Sequence, residues 1–191
     1  GVLLNGTYSE TELTELLEFQ TKFLNKFSNY TEYIFDEQNT LKEMFDNAFI
    51  KLKFKKYINK SFLLDLRVEK ETIWKKMESR TRNAIRKAKK NNVKIKFDIP
   101  DKNWINDFYS MLKKTFEKSN CLPPHSKQFY LNLINLPKDK ILFVRALQDS
   151  NVLSKAIFLV DNKKLIYFSG TTNQLGYKYS SNSYLLWKVI S

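Results

Sequence analysis

Arg80, Arg82, Arg86 and Lys89 stand within ten positions of one another. Guanidinium and ammonium groups gathered this closely can hold phosphate oxygens, as of a tRNA end or a nucleotide-sugar head. A solvated helix face is the plainer alternative. The one histidine, His125, is the side-chain type best suited to general-base work near neutral pH. Ser126 beside it starts a helix, so His125 has a structural role open to it as well. Tyr167 is the second catalytic candidate. Tyr167, Ser169 and Thr171 lie at the end of one strand, and a period of two puts Tyr167 and Ser169 on one face. They either line a cleft or pack in a sheet. Arg145 interrupts an apolar run, where an unpaired charge is costly, so it needs a carboxylate partner or a cleft. Asn182 and Tyr184 open the last helix, whose free N–H groups can take an anion.

Other chemistries are excluded. A single cysteine, Cys121, beside a single histidine makes neither a disulfide framework nor a Cys/His zinc site, and no metal is expected. No Ser-His-Asp set is evident, and transfer from an activated ester needs none. No run reaches the ~18 apolar residues of a membrane span. N-x-S/T triplets at Asn5, Asn29 and Asn59 are what an Asn-rich chain makes by chance.

The charge is local. Lys and Arg total 33 against 20 Asp and Glu in 191 residues, a formal +13. Residues 1–50 hold 3 basic and 9 acidic side chains, whereas residues 51–100 hold 17 and 5. One quarter of the chain therefore carries nearly the whole excess, and it attracts anions.

Periodicity places the elements. Ser9-Glu10-Thr11-Glu12 is a capping box ahead of a helix to about residue 28, with Phe23 and Phe27 on its inner face. Residues 31–35 alternate as a short strand. Thr40 opens a second capping box and a helix to about Lys51. Residues 62–66 read as a strand. From Glu69 to Lys90, Ile73, Met77, Thr81, Ala84, Ile85 and Ala88 make one apolar face of a single helix, with Trp74 as anchor. Next come a strand from Val93, a helix from Pro100 to Lys118, and a short helix from Ser126. Strands follow at 141–147, 152–160 and 164–170, joined by turns at 148–151 and 161–163. A polar loop over 171–182 leads to the last helix.

From Val93 the order is β-α-α-β-β-β-α. This order resembles the acyltransferase fold of the GNAT superfamily. Three stretches resemble its FemAB branch, the aminoacyl-tRNA-dependent transferases of peptidoglycan bridges. They are Leu64-Asp65-Leu66 with the Ser79–Ala88 basic helix, the pair Ala156–Val160 and Leu165–Gly170, and Asn182–Trp187. The resemblance implies an α/β protein of α+β type, with a mixed, largely antiparallel central sheet flanked by helices. Residues 1–66 would be the remnant of a first GNAT-like subdomain. Residues 67–191 would be the acyltransferase domain, lacking its last strand and helix. No bound cofactor is implied; the acyl donor, aminoacyl-tRNA or acyl-CoA, is a co-substrate. With Gly176 as its one glycine, the stretch 172–178 is a poor pyrophosphate cradle, which speaks against CoA.

The function so implied is transfer of an aminoacyl or acyl group to an amine of a cell-envelope precursor or amino-sugar. The partners would be an anionic donor or phosphate-bearing acceptor, with tRNA among them. The location would be cytoplasmic, in peripheral contact with the anionic inner membrane face. The alternative is a non-catalytic, basic RNA- or anion-binding module.

Overall fold

The computed structural model describes residues 7–33, 41–58, 62–161 and 164–191. Asn5 and Asn59, the strand end at 34–35, the cap residue Thr40 and the turn residues 162–163 lie outside them. The chain divides into two compact units, Gly1–Leu63 and Leu64–Ser191.

The first unit pairs helix α1 (Glu10–Leu24) with helix α2 (Lys42–Lys51). Ser9 caps α1 with a complete capping box: its hydroxyl accepts from the Glu12 amide, and Glu12 accepts from the Ser9 amide at 2.8 Å. Leu13, Leu17, Phe45 and Ala48 form the core. Helix α1 stops one turn early, at Asn25, because the Lys26 amide turns back to Phe23 O. Phe23 and Phe27 therefore lie exposed against each other, ring centres 5.4 Å apart and planes tilted by 59°, instead of facing inward. Residues 31–33 are not in a strand.

The second unit is a four-stranded sheet in the order β1-β2-β3-β4, with β1 (Lys94–Asp98), β2 (Ile141–Gln148), β3 (Asn151–Asp161) and β4 (Lys164–Thr172). Every pairing is antiparallel. Side chains alternate across such a sheet, so it has two faces to cover. Helices α3 (Lys70–Lys76), α4 (Ser79–Lys90) and α8 (Ser181–Ile190) cover one, over Ile85, Val144, Ala156, Phe158 and Leu185. Helices α5 (Lys102–Glu117) and α6 (Lys127–Asn132) cover the other, over Trp104, Phe108, Tyr130, Phe143 and Ile157. The chain is an α+β protein with a helix-flanked antiparallel sheet.

Four further expectations need correction. Residues 62–66 form no strand, and Phe62, Leu63 and Leu64 are exposed. The long helix over 69–90 is two helices, because Met77 and Glu78 take extended backbone. The polar stretch before α8 is not a loop throughout. It holds helix α7 (Gln174–Tyr179), capped by Asn173, and Ser180 in left-handed backbone turns the chain into α8. Finally, Tyr167 and Ser169 do not share a face. A bulge in β4 pairs Ser169 with Ile157 but Tyr167 with Phe158, and those two β3 residues point to opposite sides.

Candidate functional site

The bulge decides where the candidate residues go. Phe168, the extra residue, turns toward α6 and meets His125 ring to ring at 5.6 Å, 13° from parallel. His125 also stacks on Phe129, at 4.2 Å. Ser126 caps α6 by accepting from the Phe129 amide at 3.2 Å, which fixes His125 one residue ahead of the cap. Neither ring nitrogen of His125 has a hydrogen-bond partner among the described residues, so an imidazole held by its faces keeps its edge free. Beside it, the Tyr130 hydroxyl lies 3.3 Å from Ser169 Oγ. Burial pushes the Tyr130 phenol above its ordinary pKa, and the bond to Ser169 works against that. Thr171, on the same face as Ser169, is buried and bonded to Thr115 of α5 at 3.0 Å.

Tyr167 is on the other face, edge-on to Phe158 at 5.4 Å. Its ring lies over Gly170, where an added Cβ would fall 1.8 Å from the phenol oxygen. The residue as a whole is 46% exposed, but its hydroxyl end lies against Gly170; desolvation there raises its pKa, and a hydrogen bond with Asn182 opposes the rise. Asn182 keeps its Oδ1 buried without a partner among the described residues. The two catalytic candidates, His125 and Tyr167, are thus separated by the sheet and do not serve one site.

The basic residues of α4 differ in what they do. Arg82 is occupied. Its guanidinium donates to the carbonyls of Met77 and Lys75 and to Ser79 Oγ, the last at 3.0 Å. Those carbonyls end α3, so Arg82 closes the break between the helices. Arg80 is exposed. Arg86 lies 5.6 Å from the Trp74 ring centre and donates to Asn83 Oδ1 at 3.0 Å. Lys89 Nζ is 5.9 Å from the ring of Tyr184, itself buried on α8. Arg80, Arg86 and Lys89 are exposed on α4, and none has an ion-pair partner among the described residues.

Arg145 has its carboxylate. Arg145 Nε is 3.0 Å from Asp98 Oδ2, an ion pair whose angle does not make a hydrogen bond. Asp98 is nearly buried and also accepts from Trp104 Nε1 at 2.9 Å. The strand register sets Lys96, Arg145, Lys155 and Thr171 in one row across the sheet.

The FemAB family profile matches residues 34–157, well over half of the chain. The chain belongs to the FemAB family. Among solved structures it is similar to FemX, with a TM-score of 0.63 at 12% identity over 95% of this chain. It spans 65% of the length of that FemX chain. No curated protein sequence matches it.

Two parts of this FemAB chain's site had no signal, or only a misleading one, in the residue string. Lys155 sits in the run Leu153–Phe158 and is 1% exposed. Its ammonium donates to Trp104 O at 3.0 Å, lies 4.6 Å from the Trp104 ring centre, and pairs with Asp107 at 3.6 Å. Burial lowers its pKa; Asp107 counters this and Arg145 adds to it. A lysine in an apolar strand is the one trace it leaves. Phe168 reads as an ordinary sheet residue, because nothing in the composition of β4 announces a bulge.

Proposed function

We propose that this chain carries out aminoacyl transfer, from the ester of an aminoacyl-tRNA to an amine of a peptidoglycan precursor. The family match over residues 34–157, which takes in α4, α5, α6 and most of the sheet, carries this reading. It favours transfer over a non-catalytic binding module. The amine nitrogen attacks the ester carbonyl, a tetrahedral oxyanion forms, and the ester C–O bond breaks as the ribose hydroxyl leaves with a proton. His125, with a free ring edge, is the group proposed to take the proton from the amine. Ser169 and Tyr130 are the hydroxyls proposed to donate to the oxyanion. Arg80, Arg86 and Lys89 are proposed for substrate phosphates. Arg82, Arg145, Thr171, Asn182 and Tyr184 are supporting residues in this reading, given their protein partners or burial.

The aminoacyl ester is favoured over acyl-CoA as donor. Gly176, the glycine nearest a pyrophosphate cradle, spends its amide on Asn173 Oδ1 at 2.8 Å. We read residues 1–66 as the remnant of a first GNAT-like subdomain and 67–191 as the transferase domain. The outer edge of β4, unpaired among the described residues, suits a further strand. The proposed location is the cytoplasm, at the inner face of the membrane. No helix among the described residues is long and apolar enough to cross one.

The test is transfer by the full-length protein. Aminoacyl-tRNA and a nucleotide-linked peptidoglycan precursor are supplied, and mass spectrometry looks for the precursor plus one aminoacyl residue. His125→Ala is expected to lower kcat by about 10² or more while the fold is kept. Activity with acyl-CoA and none with any aminoacyl-tRNA would overturn the donor assignment. A fully active His125→Ala would overturn the base.

A further inference from the structure

Strand β1 lies at one end of the sheet and, among the described residues, pairs with β2 alone. Every second residue of an edge strand turns its N–H and C=O away from its neighbour, so β1 offers backbone hydrogen bonds to a further strand. Its two faces differ. On the α5 side stand Lys94 and Lys96, both exposed and neither ion-paired among the described residues. Arg145 is directly opposite Lys96 and carries the positive row inward. Its guanidinium makes no hydrogen bond among the described residues. Asp98, the one acid of β1, is nearly buried and already shared between Arg145 and Trp104. The exposed part of the edge therefore has cations without a counter-charge. On the α8 side Ile95 packs against the core, while Phe97 is 55% exposed.

We propose that this edge takes an extended segment of a protein partner as a fifth strand, with acidic residues at alternate positions facing Lys94 and Lys96 and apolar residues between them beside Ile95 and Phe97. Backbone bonds to β1 hold such a segment, and its alternate side chains select it. Opposite charges directly across two strands attract, and like charges repel. Lysines on an open edge keep out basic strands and strands of their own kind, and they leave the edge open to acidic ones. A second copy of β1 fits badly, because full antiparallel overlap sets the two Lys96 side chains against each other while Asp98 is already engaged. A nucleic-acid strand could meet the charge but has no N–H and C=O to complete the ladder. The five residues of β1 are of ordinary length for a paired strand. The inference goes beyond the transferase reading and does not rest on it.

The experiment is fluorescence anisotropy on the full-length protein, with a labelled peptide of alternating Glu and Val as the probe. Saturable binding is expected. The same peptide N-methylated at every residue keeps its charge but cannot form the ladder, and it is expected to bind about tenfold more weakly or worse. Lys94→Glu/Lys96→Glu is expected to weaken binding of the Glu peptide about tenfold. The same variant is expected to gain binding of a peptide alternating Lys and Val, which also shows that it is folded. Lys113→Glu/Lys114→Glu makes an equal charge change on α5 and is expected to alter binding less than about threefold. No saturable binding of the Glu peptide would overturn the proposal. So would an N-methylated peptide that binds as tightly, or equal losses in the two double variants, which would mark a diffuse field. Displacement of the peptide by an equal concentration of single-stranded RNA would overturn it as well. A parent that light scattering shows to be a dimer, split by Lys94→Glu/Lys96→Glu, would give the edge to a second copy instead.

Discussion

Arg82→Ala should destabilise the second unit without touching a ligand. The guanidinium makes three hydrogen bonds, to Lys75 O, Met77 O and Ser79 Oγ. A hydrogen bond with one charged partner is worth about 1.5–3 kcal/mol net when buried, and exposure reduces it. The contact with Met77 is part-buried and the other two are exposed. Counting about 1.5 kcal/mol for the first and a few tenths for each of the others gives about 2 kcal/mol. A urea m-value of about 1.5 kcal/mol/M turns that into a midpoint drop of about 1.3 M. Tryptophan emission is the right probe, because Trp74, Trp104 and Trp187 all lie in the second unit. Trp74 and Trp187 also meet beside the helix break, so their emission should shift with it. Arg82→Lys should recover only part of the loss, since an ammonium cannot span three acceptors in a planar fork. A midpoint within about 0.3 M of the parent, together with lost aminoacyl transfer, would refute the reasoning and return Arg82 to the substrate.

Lys155→Met should remove a rise of stability with pH. Burial depresses the Lys155 pKa below its usual 10.5, so between the two values the unfolded chain holds a proton that the folded chain has shed, and stability climbs as pH rises through that window. Urea midpoints taken up to pH 10.5 should show the climb in the parent and a flatter profile in the variant; parallel profiles would mean that Asp107 compensates the burial fully. Gly176→Ala should cost about 2 kcal/mol, because its Cβ would lie 2.4 Å from the Leu153 carbonyl oxygen, an unyielding backbone atom. Thermal unfolding would read that cost as a lowered Tm, and an unchanged Tm would mean that α7 can slide away from β3.

Elements with both a period and a cap were legible. Helix α5 is an example: its apolar residues Trp104, Ile105, Phe108 and Leu112 are all buried, and Asp101 caps it through the Trp104 amide at 2.7 Å. The strands after it were legible because apolar runs of strand length end in Asp149-Ser150 and similar turns. The break at Met77–Glu78 was not, because neither residue is Gly or Pro and the apolar period continues across it. What ends α3 is the Arg82 side chain, reaching back across the junction from α4. Segment 62–66 shows the converse: strong β propensity alone does not make a strand. At the site, the types of His125, Ser169 and the arginines were readable. Their grouping was not, because it hangs on one bulge and on which carbonyls Arg82 finds.

That bulge changes the parity of β4. Before Phe168, residues of one parity face the α8 side; after it, the same parity faces α5. A strand without the change would send Ser169 and Tyr167 into the same chamber and take Phe168 away from His125. Deleting one residue there would therefore act unlike a point substitution. It would exchange the contents of two chambers along half a strand while leaving composition and hydropathy almost untouched. Relatives that differ by one residue in this strand should be compared by face, not by aligned column.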